Sequence, residues 1–549
     1  MRIALGQINT TVGDLAGNAA LILKTARKAA EGAADVVVFP ELSLIGYPPQ
    51  DLLDRPALFE QAARTLDQLA ADAASLRISI VCGTVEQAAV DEGKRIWNTA
   101  AVLQRGKVHF RQHKMLLPNY DVFDEQRYFR SADKQELLQL GASPVALTIC
   151  EDAWNDKRYW DKRLYERDPV DELAAQGAKV LISINASPYQ IGKRARRRDI
   201  FAAAARHHGI PVVYINQAGG NDQLVFDGSS FALDATGKLI AQAASFAEDL
   251  VFVDTNTLRG DVHATHADED EAVYEALVLG TRDYMRKCGF SKAVIGFSGG
   301  IDSSLVACIA VEALGKANVT GIGMPGPFSS EHSVTDARAM AERLGVRFEI
   351  VSINDGYHAA NKALAPIFAG LPNDVTEENI QSRLRGLTLM AFSNKTNALV
   401  LTTGNKSEIA VGYCTLYGDM CGGLAVISDI PKTLVYRLCR VANKRLGDAI
   451  PESVFNKPPS AELRPDQKDS DSLPEYDVLD PILKAYVEDD LAPAVIAERL
   501  SLNIDLVRDV TRKVDRNEYK RQQAAPGIKV TSKAFGIGRR YPIAQRYRE

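Results

Sequence analysis

Three short segments each set a reactive side chain at the end of an apolar run: Glu41 in VVVFPEL, Lys114 in FRQHKMLLPNY and Cys150 in ALTICEDAW. Strand ends are where a buried sheet meets solvent and where α/β proteins build their sites. Attack on a carbonyl as unreactive as an amide calls for a thiolate. A carboxylate such as Glu41 can take the thiol proton and later pass it on. An ammonium such as Lys114 can stabilise the oxyanion that forms and lower the thiol pKa. Glu125, eleven residues past Lys114, can orient it. Taken singly, each residue has a plainer reading: Cys150 as a packed small hydrophobe, Glu41 as an acid at a helix start, Lys114 as a surface charge.

A second constellation lies in AVIGFSGGIDSSLVA, which reads strand, Gly-rich turn, helix. Gly299 and Gly300 let backbone N–H groups converge without Cβ obstruction, and the following helix N-terminus adds its positive dipole. With Gly296, Phe297, Ile301 and the hydroxyls of Ser298, Ser303 and Ser304, this turn would cradle the phosphates of ATP. It is not a Walker A loop, because no lysine follows the second glycine. Asp302 opens the helix and is a sensible Mg²⁺ ligand beside phosphate oxygens.

The elements that must position these residues follow from the pattern. Strands are predicted at 3–8, 35–39, 78–83, 99–103, near 107–112, and at 145–149, 180–184, 212–216 and 230–233. Helices are predicted at 18–31, 56–75 and 195–208, giving a mixed α/β half that ends in a hairpin turn, DATGK. Residues 254–270 are polar and aperiodic and read as a linker; His263 and His266 there have no cysteine or second pair beside them, which disfavours metal ligation. The second half restarts with a helix at 272–288 and a strand at 293–297. It then alternates through a helix from 303, a strand at 319–324, a helix at 333–344, a strand at 347–352, a helix at 380–395 and a strand at 398–403. That is the pattern of a doubly wound parallel sheet. The stretch 457–477, rich in Pro, Ser and acids, is predicted to be a mobile surface loop.

Composition bounds the function. A chain of 549 residues suits two domains. A net charge of −5 disfavours nucleic-acid or anionic-membrane partners. Seven scattered cysteines suit reduced thiols in the cytoplasm; the N-terminus reads as a strand, and no apolar run is long enough to span a bilayer.

FPEL, the HK-x-x-L-P-N-Y segment and C-E-D, in this order, resemble the nitrilase superfamily over about residues 1–255. The resemblance implies an α-β-β-α sandwich, with Glu41 as general base, Lys114 as electrostatic stabiliser and Cys150 as nucleophile. NASPYQIGKRARRRD resembles the glutaminase branch of that family, which implies Tyr120, Ser187 and Lys193, with Glu125, at a bound glutamine. The charged run Lys193–Arg198 reads as a solvated or subunit-contacting face rather than an RNA site.

S-G-G-x-D-S at a strand–helix junction resembles the ATP pyrophosphatase family, which cleaves ATP to AMP and pyrophosphate. ENIQSRLRG, LTTGNKSEIAVGYCTLYGDMCG, DIPKTLV, PPSAEL and NEYKRQQAAPGIKV resemble the NAD synthetases along 273–549, with 256–272 as the linker. This implies Asn379 and Arg383 near deamido-NAD, Thr403 near the adenine or ribose, and Glu408 on Mg²⁺ or substrate. It also implies Lys432 and Ser460 at the phosphates and Lys520 on the nicotinate side. The combination implies ammonia from glutamine used with ATP and Mg²⁺ to amidate deamido-NAD, in a cytoplasmic homo-oligomer, at least a dimer. Two alternatives stay open at this stage: another glutamine-dependent ATP pyrophosphatase, and a nucleotide-binding scaffold that has lost its chemistry.

Overall fold

The structure, a computed structural model, describes residues 1–88, 93–160, 162, 164–266 and 268–547. The chain divides into two compact units, Met1–Ala267 and Asp268–Glu549.

The first unit holds two large sheets. Strands β1 (Arg2–Gln7), β2 (Val36–Val38) and β3 (Ser79–Gln87) run parallel, and β4 (Ile96–Gln104) and β5 (Lys107–His113) extend them antiparallel. After β6 (Leu138–Leu140), strands β7 (Ser143–Ile149), β8 (Val180–Asn185) and β9 (Val212–Asn216) form the parallel centre of the second sheet. A small ribbon, β10 (Ala218–Asn221) with β11 (Leu224–Asp227), follows; β12 (Phe231–Leu233) and β13 (Leu239–Gln242) then close the second sheet antiparallel. β14 (Asp249–Asp254) and β15 (Arg259–Gly260) return to the edge of the first sheet beside β1.

Successive side chains of a strand face opposite ways, so each strand serves two layers. Ile3, Leu5, Val36 and Val38 of one sheet pack against Leu147, Ile149, Ile182 and Ile184 of the other. Ala4, Val37 and Ile80 turn to the helices Leu15–Glu31 and Pro56–Asp72 through Ile22, Ala26, Leu66 and Leu69. Ala146, Leu181 and Val212 turn to Phe201 and Ala205 of the helix Lys193–His208. The result is an α-β-β-α sandwich. Both faces of β7 are covered, so Thr148 is as buried as its apolar neighbours Ala146, Leu147 and Ile149.

In the second unit β16 (Ala293–Gly296), β17 (Val319–Gly323), β18 (Arg347–Ile350), β19 (Leu399–Thr402) and β20 (Leu424–Ala425) form an all-parallel sheet in the order β18-β17-β16-β19-β20. The strand order reverses at β16, so the crevice beyond Gly296 is the place this topology reserves for a ligand. The helix Ile301–Leu314 leaves that crevice and is buried along most of its length, with an unbroken apolar run at Leu305–Ala310.

Three differences from the sequence reading have physical causes. The start of the linker, 254–260, is a hairpin at the sheet edge, and His263 Nδ1 lies 2.7 Å from Asp249 Oδ2. The next helix begins at Glu269, because Asp268 caps it by accepting from the N–H groups of Asp270 and Glu271. Ala267, within that linker, lies outside the described residues. The stretch 457–477 is not a free loop: Lys457 and Ser330 hold Glu462, and Tyr476 holds the buried Asp469. Beyond it, Leu479, Ile482, Ile496, Val507 and Val510 build a helical core that sequence reading did not single out.

Candidate active site

In the first unit the parallel strands of the second sheet end in register, Ile149 beside Ile184 and Asn185 beside Asn216. Cys150 follows β7 at once with φ 46°, a left-handed conformation that costs a non-glycine residue about 1–2 kcal/mol. Neighbouring hydrogen bonds hold that turn. Asp152 accepts from the N–H groups of Met115 (3.0 Å) and Leu116 (2.7 Å) and from Gln135 (2.8 Å), tying the Cys150 turn to the segment that carries Lys114.

Lys114 is fully buried and donates to Glu41 Oε1 at 2.7 Å and to Glu125 Oε1 at 2.9 Å. Burial works against the ammonium, but Glu125 and Glu41 hold its pKa well above the usual lysine value. Glu41 also accepts from Asn98 Nδ2 (2.7 Å) and from the Ala186 N–H (3.1 Å), so its carboxylate is fixed by both sheets. Burial, then the charge of Glu41, push the Cys150 thiol well above its ordinary pKa, against the pull of Lys114. The lowering expected from Lys114 alone is therefore reversed at rest. A thiol held protonated needs the neighbouring base to become a nucleophile.

Glu125 is buried against Lys114 and accepts from Tyr47 O–H at 3.0 Å. Its partners are thus the machinery around Lys114. Tyr120, 40% exposed, donates to Glu151 at 3.0 Å; Tyr165 O–H donates to the same carboxylate. Lys193 begins its helix with its ammonium over the rings of Trp154 (5.6 Å) and Phe123 (5.8 Å). Ser187 is buried, and its N–H donates to Asn216. The run Lys193–Arg198 is not uniformly solvated. Arg197 is buried, pairs with Asp227 at 2.6 Å and donates to the carbonyls of Ser187 and Pro188. Asn98, Glu151, Asp152 and Tyr47 were missed by sequence reading. Glu151 and Asp152 stood next to Cys150 in the quoted segment, and Asn98 interrupts an apolar strand; those were the available signals.

In the second unit a cavity of about 420 Å³ opens at the carboxyl end of β16. Gly296, Phe297, Ser298, Gly300, Ile301 and Asp302 line it from the turn. Gly299 has φ 72°, and a Cβ there would meet the Ser333 carbonyl oxygen at 2.2 Å, so only glycine fits the close approach. Ser303 O–H donates to the Gly300 carbonyl, and Ser298 Oγ lies 3.1 Å from Ser303 Oγ; these hydroxyls brace the turn.

Thr403, Glu408, Lys432, Ser460, Asn379 and Lys520 also line the cavity. Lys432 bridges two carboxylates, pairing with Asp302 and lying 3.3 Å from Glu408 Oε1. Burial works against its charge, yet Asp302 and Glu408 raise its pKa. Burial, and after it Asp302, push Glu408 up to about 8 against the pull of Lys432. Asn405 steadies the group by donating to Asp302 at 2.9 Å. Asp302 and Glu408 are hard oxygen donors facing one cavity, which fits Mg²⁺ held jointly with phosphate oxygens. Thr415 donates to Asn379, Lys520 donates to the carbonyls of Gly412 and Cys414, and Ser460 donates to the Gln467 carbonyl. Arg383 is the exception. It is exposed, its Nε donates to the Leu416 carbonyl, and Arg385 lines the cavity instead. Two positions along a helix turn a side chain by about 200°, so the two arginines face different ways.

The class of protein that these two units define is matched by two family models: carbon-nitrogen hydrolase over residues 2–260 and NAD synthase over residues 273–524. The chain is 47% identical to a glutamine-dependent NAD(+) synthetase of Synechocystis sp. over 99% of both chains, and 41% identical to one of Thermotoga maritima over 100% of this chain and 99% of that one. Its structure is similar to that of an Acinetobacter baumannii glutamine-dependent NAD+ synthetase in complex with ADP (40% identity, TM-score 0.77, 99% of this chain and 98% of that one). A Cytophaga hutchinsonii structure shares the fold at 23% identity, with TM-score 0.84 and 99% and 98% of the chains covered. The chain belongs to the glutamine-dependent NAD(+) synthetase family, a family of enzymes.

Proposed function

We propose that this chain hydrolyses glutamine in its first unit and uses the ammonia, with ATP, to amidate deamido-NAD in its second. The observation that carries the first half is the 2.7 Å contact of Lys114 with Glu41, whose carboxylate also accepts from the Ala186 N–H just past the strand paired with β7, which leads into Cys150. Glu41 takes the thiol proton as Cys150 attacks the side-chain amide, and Lys114 offsets charge on the tetrahedral oxyanion. Glu41 then protonates the leaving ammonia and activates the water that frees glutamate. Glu125 fixes the Lys114 ammonium. Tyr120, Ser187 and Lys193 hold the amino-acid end, with Lys193 against the α-carboxylate.

In the second unit the substrate carboxylate attacks the α-phosphate of ATP, giving an adenylate and pyrophosphate; ammonia then displaces AMP and forms the amide. The turn Ser298–Ser303 cradles the phosphates, with Lys432 and Ser460 beside them. Thr403 sits at the nucleoside, and Asn379 and Lys520 serve deamido-NAD. Asp302 and Glu408 would hold Mg²⁺, which neutralises phosphate charge when bound. The working form is a cytoplasmic homo-oligomer, at least a dimer.

The test is incubation with glutamine, Mg-ATP and deamido-NAD, with products identified by mass. NAD, AMP, pyrophosphate and glutamate are expected. Glutamate without NAD would mean a different acceptor, and neither product would overturn the reading.

A further inference from the structure

In the first unit, Asp156, His207 and His208 bring one ligand atom each to within 4.8 Å of one another. Asp156 lies six residues past Cys150; the two histidines end the helix whose first residue is Lys193. All three side chains are nearly buried. The imidazoles stack at 4.2 Å between centroids and 14° between planes, so one ring must turn about its side-chain torsions for nitrogens of both to aim at one ion.

His207 Nδ1 is 3.4 Å from Asp156 Oδ2. That is long for a hydrogen bond. It matches the separation of two ligands on one tetrahedral ion, since metal–N and metal–O bonds of about 2.0–2.1 Å put neighbouring ligands roughly 3.3–3.4 Å apart. The other Asp156 oxygen is already satisfied by the Arg158 N–H at 2.7 Å, which orients the carboxylate. Asp171 Oδ1 stands 3.9 Å from His207 Nε2 and 4.0 Å from His208 Nδ1, as an outer carboxylate would. Lys157, whose side chain is 43% exposed, pairs with Asp171 from the outside. The end of a helix favours a cation.

We infer that Asp156, His207 and His208 form a binding site for a Zn²⁺-class dication. Two imidazoles and a carboxylate select this class over Mg²⁺ or Ca²⁺, which take oxygen donors. A bound ion would clamp the segment following Cys150 to the helix that starts at Lys193, joining two walls of the first unit's site.

The probe is Co²⁺ added to the full chain carrying Cys150→Ala, which makes the result independent of glutamine chemistry. Bound metal is counted after equilibrium dialysis and its absorption recorded. One more ion per chain is expected than in the same chain with His207→Gln and His208→Gln, and the difference spectrum should lack a thiolate charge-transfer band. Zn²⁺ should raise the Tm of the first chain and not of the second. Asp156→Asn, which leaves the helix sequence intact, should lose the same ion and decides the matter if the double variant misfolds. Equal stoichiometry with and without the three ligands, or a difference spectrum dominated by thiolate bands, would overturn the site.

Discussion

Lys114 holds two carboxylates apart in a site without water-facing surface, and removing it would leave Glu41 and Glu125 uncompensated. Lys114→Met should therefore destabilise the first unit by about 3–5 kcal/mol, read from urea unfolding. Glu41→Gln keeps the shape and removes the base. Glutamine hydrolysis should fall about 10²- to 10⁴-fold, while synthesis driven by added ammonium stays near its starting rate. In the second unit the titration of Glu408 gives a signed prediction. With its pKa near 8, the group is largely protonated at pH 7, and a bound cation requires it ionised. Binding of Mg-ATP at pH 7 should release protons, seen calorimetrically as a dependence on buffer ionisation enthalpy. Release should fade above pH 9, where the carboxylate is already charged, and vanish in Glu408→Gln.

The elements that carry these residues are strand ends and the turns after them. Gly299→Ala would place a methyl against the Ser333 carbonyl and add about 1–2 kcal/mol of left-handed strain. ATP-dependent synthesis should be lost in that variant while glutamine hydrolysis survives. The helix Lys193–His208 is anchored by Arg197, whose loss strands Asp227 in the core; Arg197→Met should cost about 3–5 kcal/mol by thermal or urea unfolding. Sequence pattern made the strands legible because burial imposes continuous apolar runs on β7, β8, β9 and β16. It made Glu41 and Cys150 legible because each follows an apolar strand, β2 and β7; Lys114 follows β5, KVHFRQH, which is not apolar, and was legible in its HK-x-x-L-P-N-Y segment. It misjudged 457–477 because composition reports solvation tendency, whereas Glu462 is held by Lys457 and by Ser330, 132 residues earlier, and Asp469 by Tyr476. Arg383 and Arg385 could not be told apart for a related reason: their helix has apolar residues on several sides, so period alone does not say which face meets the cavity. Asn98 and Tyr47 reach Glu41 and Glu125 only through the folded sandwich, and no local spacing encodes that.

For the whole molecule, the account joins two reactions through one nitrogen atom. Ammonia is a nucleophile only while unprotonated, so a chain carrying both reactions gains if the nitrogen does not equilibrate with bulk ammonium. The direct measurement is synthesis with glutamine labelled with ¹⁵N at the side-chain amide, in unlabelled ammonium, with the dinucleotide product weighed by mass spectrometry. The wild-type chain is predicted to place the label in the product carboxamide. Cys150→Ala is predicted to make the same product with only unlabelled nitrogen. Label still transferred from glutamine by the Cys150→Ala chain would contradict the account.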